Sequence, residues 1–232
     1  MRPSKAALWT QFHRDMLEVS GKPFGLDAGA ADLKCYPLFS TETYWGIDIG
    51  RESLERGLGR YPDAKAILAD LSTVPVPANS VDVCVSTNTL FQLDVEPRLS
   101  AIRTLCQAVK PDGIMMIELN NDEAIEQTLK LLQDNFSQLD ISYFGNKLSR
   151  LYEKILQRSD GKMPGYAGSR PFLAISWILS RLEIAGRKTS TVRNQIYIKA
   201  QGKIAQGKPV LFDAKLYEPI GDRLYEPKQT TQ

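Results

Sequence analysis

The chain has 232 residues, of which 43% are hydrophobic and 24% charged. That length suffices for one sizeable α/β domain with a buried core, the expectation here, while leaving two small domains open, and the balance excludes disordered or fibrous classes. A net charge of +2, three cysteines without a CxxC pair and a single histidine exclude a strong electrostatic pull toward nucleic acid or anionic lipid, a disulfide framework, and a thiolate or imidazole metal site.

The first sixteen residues, "MRPSKAALWTQFHRDM", lack the seven-residue apolar core of a signal peptide, and no later stretch runs to eighteen apolar residues. A cytoplasmic protein without a membrane partner is the expectation. The segment reads as an amphipathic helix with Trp9, Phe12 and Met16 on one side, and residues 1–23 are expected to form a lid. Four short apolar runs follow: "FGLDAGA" (24–30), "YWGIDIG" (44–50), "KAILADL" (65–71) and "VDVCVSTNTL" (81–90). Each is bounded by Gly, Pro or Asp, as strands buried on both faces of a parallel sheet are.

"EPRLSAIRTLCQAVK" is the clearest helix, with Pro97 in its first turn and Leu99, Ile102, Leu105, Cys106 and Val109 at helical spacing. It is expected to break at "KPDG", before a fifth strand "IMMIEL" and a helix "DEAIEQTLKLLQDNF". Beyond residue 137 the sequence predicts a strand "LDISYFG", a helix "NKLSRLYEKILQR", a Gly/Pro-rich loop "GKMPGYAGSRP", a buried helix "FLAISWILSRLEI" and a last strand "NQIYIKA". The tail after Gln201 is polar, and its local echo, "LYEPIGDRLYEP", reads as too short to be a structural repeat. The expected architecture is a doubly wound, seven-stranded, mostly parallel sheet with a helical insert before the last strand. Residues 1–200 form one domain with a core at 24–137 and an acceptor-side insert at 138–190, and 201–232 form a tail.

Ligands in such sheets sit at the carboxyl ends of the strands. Asp27 closes the first strand, Gly29 follows it, and Asp48 closes the second, where a carboxylate can accept from the two hydroxyls of a ribose. Asp70, with the Leu71 amide beside it, is placed for an adenine. A dinucleotide needs a Gly-x-Gly-x-x-Gly turn to receive its pyrophosphate, and "DAGAAD" instead sets Asp32 near where a phosphate would lie. S-adenosylmethionine carries a sulfonium and an ammonium and no phosphate, so acidic residues near the turn favour it.

From about Phe24 to Leu119 the chain resembles the class I S-adenosylmethionine-dependent methyltransferases. The resemblance rests on "LDAGAAD", "YWGIDIG", "LADLSTVPVPANSVDVCVS" and "VKPDGIMMIEL" in that order, with Tyr36, Pro37, Leu38 and Phe39 matching a "YxPLF" stretch. It implies that Gly29, Ala30 and Ala31 line the methionine moiety through the backbone, that Asp48 holds the ribose, and that Asp70 and Leu71 hold the adenine, with Asp27 and Ile49 as further cofactor-binding candidates. Ser86 and Asn88 would then lie near the sulfonium; Asn88, Gln92 and Tyr166 are the candidates for meeting the acceptor, Tyr166 against the plainer reading of a loop or core aromatic. The sequence departs from the family at Ala31 and Leu33, where further glycines are usual, and at Gln92, where a histidine is frequent.

The reading is a methyltransferase moving a methyl group to an oxygen or nitrogen of a small molecule, a sugar or secondary metabolite among the candidates. S-adenosylmethionine is its cofactor; no metal and no nucleic acid are involved. His13 is the one imidazole available as a catalytic base, against the plainer reading of a packing or surface residue, and Gln92 completes the acceptor side. Asp48 has its own plain reading, a carboxylate capping the next helix, and Cys84 and Cys106 read as inert core thiols. The alternatives are a methyltransferase-like binding or regulatory protein without activity and, more weakly, an NAD-dependent dehydrogenase.

Overall fold

The computed structural model describes residues 3–145, 147–156, 169–185 and 193–229. Nine strands form one sheet: β1 (Phe24–Ala28), β2 (Thr43–Asp48), β3 (Lys65–Leu68), β4 (Val81–Ser86), β5 (Val109–Asn120), β6 (Phe136–Gly145), β7 (Arg193–Lys203), β8 (Tyr217–Gly221) and β9 (Leu224–Pro227). Their order across the sheet is β6-β7-β5-β4-β1-β2-β3-β9-β8. Strands β3, β2, β1, β4 and β5 are mutually parallel, and β7 runs antiparallel between β5 and β6. Every residue of β1 and β4 is buried, as strands covered on both faces must be.

Helices cover both faces: α1 (Pro3–Glu18), α2 (Arg51–Arg60), α3 (Val95–Ala108), α4 (Ile125–Asn135), α5 (Lys147–Leu156) and α6 (Arg170–Ala185). On α1, Leu8, Phe12 and Met16 recur every four residues, are fully buried, and pack with Val83, Val85 and Met116. The alternate residues Cys84, Met115 and Ile117 share the opposite layer with Ala101, Ile102 and Leu105 of α3, because successive strand residues point to opposite faces. The Tyr197 hydroxyl of β7 donates to Asp15 (2.9 Å), and the Lys199 ammonium to Glu18, so α1 is tied to the antiparallel edge of the core.

Two expectations are corrected. The segment "KPDG" does not separate helix from strand, because β5 already starts at Val109 and runs through it. Val81 pairs with Val109 and Val83 with Ile114, so the extra residues loop out of the register as an irregularity. The sheet has nine strands rather than seven, because the polar tail is not outside it. The echo is itself a hairpin: its first "YEP" opens β8, its second lies in β9, and Arg223 in the turn has φ 58. Strand β9 runs parallel to β3, pairing Ala66 with Leu224.

Candidate functional site

The β1–β2 half of the sheet builds the centre of the site. After Ala28 the chain turns at Gly29 (φ 82), and the Gly29 and Ala30 amides both donate to the Ile47 carbonyl (2.8 and 2.9 Å). Ala31 (φ 46) and the fully buried Leu33 (φ 57) also take left-handed conformations. Glycine would adopt these freely, and each costs a side chain about 1 kcal/mol or more. Asp48 braces this turn: one carboxylate oxygen accepts from the Ala31 amide and the other from the Gly50 amide, both at 2.8 Å. An ionised carboxylate has lone pairs beyond these two bonds, and Asp48 stays partly exposed.

A cavity of about 470 Å³ opens here, lined by the Gly29–Ala31 backbone, Asp48, Ile49 and the segment after β4, and reached by Trp9, Lys34 and Cys35. A second, of about 110 Å³, is lined by Ala69, Asp70 and Leu71. The two share Gly29, Asp48, Ile49, Thr89 and Leu93. They lie at the carboxyl ends of β1, β2, β3 and β4, where the sheet order reverses between β1 and β4.

Residues 87–93 are held in place from several sides. The Asn88 amide donates to the buried carboxylate of Glu118 (3.0 Å), and the Gln92 side chain donates to the Asn88 carbonyl. Arg98, 5% exposed, donates to the Leu93 carbonyl (3.0 Å) and to both oxygens of Asp122 (2.9 and 2.8 Å). Such charge-assisted pairs hold their geometry well.

The structure brings together Gly29, Ala30, Ala31, Asp48, Ile49, Asp70, Leu71, Asn88 and Gln92. It does not bring in four others. Asp27 is 1% exposed, accepts from the Tyr44 hydroxyl (2.9 Å) and lines neither cavity; burial raises its carboxyl to about 7, the Tyr44 bond working against the shift. Ser86 is fully buried, and its hydroxyl donates to the Ala28 carbonyl (2.7 Å), so it staples β4 to β1. His13 is exposed on α1, away from both linings, because the Leu8–Phe12–Met16 face turns inward. Asp32 pairs with Lys34 (3.5 Å) and Arg60 (3.6 Å), so its charge is spent on neighbouring cations rather than facing the cavity. Tyr166 lies outside the described residues.

Sequence reasoning missed Trp9, Lys34, Cys35, Thr87, Thr89 and Leu93. The threonines stand in "STNTLF" directly after β4, where a signal was available. Trp9 was visible only as part of an amphipathic face; its indole N–H is buried without a hydrogen-bond partner among the described residues. Burial pushes the Cys84 and Cys106 thiols up, which keeps both protonated.

The donor set fits an adenosyl sulfonium ligand. Asp48 and Asp70 supply carboxylates to the linings, Gly29 gives backbone access, and among the described residues Lys34 is the one cation lining them. Among the described residues there is no metal-holding cluster and no helix long and apolar enough to cross a membrane.

Residues 25–117 match the profile of a family described as methyltransferase domain. A comparison with curated protein sequences gave no match. Among solved structures, the 4+2 cyclase SpnF is similar at TM-score 0.54 and 16% identity, over 85% of this chain and 81% of that one. A phosphoethanolamine N-methyltransferase from Haemonchus contortus, solved with phosphomonomethylethanolamine and S-adenosylhomocysteine, has TM-score 0.56 and 15% identity over 83% of this chain and 52% of its own. This chain thus spans about half the length of that enzyme. The N-methyltransferase NodS from Bradyrhizobium japonicum, bound to S-adenosylhomocysteine, has TM-score 0.54 and 12% identity over 84% and 87%. Identities this low establish the fold, and a cyclase among the neighbours illustrates that fold alone does not fix chemistry.

Proposed function

We propose that this chain, whose residues 25–117 match the methyltransferase-domain profile, is a class I S-adenosylmethionine-dependent methyltransferase that methylates an oxygen or nitrogen of a small molecule. The observation that carries the reading is the position of Asp48. Its carboxylate is locked by two backbone amides in the wall shared by the two cavities, where a ribose would join an adenine beside Asp70 and Leu71 to a methionine moiety beside Gly29–Ala31. The cofactor supplies an electrophilic methyl group on sulfur.

The protein's own part is positioning. Asn88 and Gln92 border the larger cavity beside Thr87 and Thr89, and their amides can orient an acceptor without accepting its proton. Trp9 brings an apolar ring to the same space. Aligning an acceptor lone pair within about 3 to 3.5 Å of the methyl carbon and excluding water supplies much of the rate in such displacements. Among the described residues the lining holds no imidazole, which favours an acceptor atom that arrives with its lone pair available. The same observation supports the second reading, a cofactor-binding protein without transfer.

Calorimetric titration tests the premise of both. S-adenosylmethionine and S-adenosylhomocysteine should bind the wild type, and Asp48→Ala should weaken both by about 1 to 3 kcal/mol, the cost of leaving buried hydroxyls without an acceptor. Unchanged affinity in a folded Asp48→Ala protein removes the ribose role. Methyl transfer to a panel of amines, phenols and sugars then separates enzyme from binding protein.

A further inference from the structure

Helices α5 and α6 stand outside the sheet. Helix α6 packs on α1, which lends Trp9 to the cavity, and on β6, while α5 packs on α6. The Tyr152 hydroxyl donates to the Phe172 carbonyl (3.2 Å) across the pair. This packing leaves much apolar surface uncovered. Leu151 and Ile155, one turn apart on α5, are 55% and 72% exposed, and Ile175, Ile178 and Leu182, at i, i+3 and i+7 on α6, are 44%, 50% and 60% exposed. Isolated exposed aliphatic residues are ordinary, but stripes on two neighbouring helices mark a surface that something covers.

The charge of the same segment says what that is. Residues 147–193 carry ten Lys and Arg against three acidic residues, Glu153, Asp160 and Glu183, a net of +7 within a chain of net +2. The rest of the protein is therefore net negative, and the whole-chain charge hides the segregation. Lys154 beside Ile155, and Arg170 at the start of α6, are both exposed. Aliphatic stripes among basic residues are the composition of a helix that lies in a lipid interface, apolar side down, with cations against anionic headgroups. Spanning takes about 20 apolar residues, more than either helix has. A nucleic acid would use the basic charge and leave the Leu and Ile side chains uncovered.

We propose that α5 and α6 dock the protein on an anionic lipid surface. The exposed aliphatic stripes enter the headgroup boundary and Lys154 and Arg170 meet lipid phosphates.

The test is co-sedimentation of the full chain with vesicles of phosphatidylcholine, alone or mixed with phosphatidylserine. The expected result is weak binding to the neutral vesicles and binding at least about tenfold tighter to the mixed ones, falling as salt screens the charges. Ile155→Glu with Ile178→Glu should reduce binding at least about tenfold by removing the inserted surface. Lys154→Glu with Arg170→Glu, which leaves the apolar stripes intact, should also weaken it, while circular dichroism and S-adenosylmethionine titration match the wild type. Wild-type protein that stays in the supernatant with anionic vesicles overturns the proposal. So does a dimer in sedimentation equilibrium that the Ile155 and Ile178 changes disperse while vesicles capture nothing, which assigns the face to a second copy. Capture of RNA without capture of vesicles overturns it as well.

Discussion

The Thr89 hydroxyl donates to the Gly29 carbonyl at 3.1 Å and lies where a side chain on Gly29 would stand. The segment after β4 is thereby closed down on the turn after β1, at residues that line both cavities. Gly29→Ala would force a methyl group into Thr89 and hold alanine at φ 82. A loss of about 1 to 3 kcal/mol in stability is expected from the backbone alone, with cofactor affinity lost beside it. Adding Thr89→Gly, which removes the Thr89 Cβ along with the rest of the side chain, should recover the steric part but not the backbone part. A chemical-denaturation double-mutant cycle reads the coupling, and strictly additive effects would show that the two residues do not constrain each other.

Asp27 gives stability a pH dependence. Its folded carboxyl is raised by burial from 3.8 to about 7, so between those values the folded state holds a proton that the unfolded chain has released. The stabilisation is complete below about pH 4 and is lost as pH rises through 7. Asp27→Asn cannot ionise and should flatten that slope, gaining stability relative to wild type at pH 8 by an amount on the order of a few kcal/mol. Melting temperatures of both proteins from pH 5 to pH 8 check this; parallel curves would contradict it.

The C-terminal hairpin is expected to matter for stability. Tyr217 and Leu224 are 3% and 2% exposed, Phe212 stacks on Phe24 (4.4 Å between centroids), and the Arg223 guanidinium donates to the Leu58, Tyr61 and Pro62 carbonyls. Deleting residues 215–232 would strip the partner from the edge of β3 and leave an unpaired strand beside the Asp70–Leu71 wall. A clear fall in melting temperature and increased aggregation are expected. At temperatures where the shortened chain remains folded, cofactor affinity should be retained, because the hairpin lines neither cavity.

Lys203, 5% exposed, donates to the Gln107 and Val109 carbonyls (both 2.7 Å) and to Asn79 (2.8 Å). Burial lowers its pKa, yet the three acceptors hold the end of β7 against the α3–β5 junction. Lys203→Met fills the same volume and leaves three acceptors unmet, so a loss of about 1 to 3 kcal/mol is expected. Urea denaturation measures it, and an unchanged midpoint would mean that water replaces the ammonium.

The sequence by itself determined the alternation of strands and helices from residue 24 to 145 and the wall made by Gly29, Asp48 and Asp70. Both are local: strand burial is written in apolar runs, and a residue at a strand end is carried to the sheet's edge wherever the strand goes. Tertiary structure decided what periodicity cannot carry. Asp27 and Asp48 both close strands, but Asp27 points into the core beneath Tyr44 while Asp48 points at the turn, a difference set by which face each side chain leaves. His13 looked available because nothing in the sequence states which side of α1 meets Val83 and Met116; the packing of Leu8, Phe12 and Met16 turns it to solvent and sends Trp9 to the cavity. The polar tail gave no strand pattern, because an edge hairpin has one solvated face and draws its stability from long-range pairing with β3. Contacts between residues 66 and 224 exist only once the sheet has assembled.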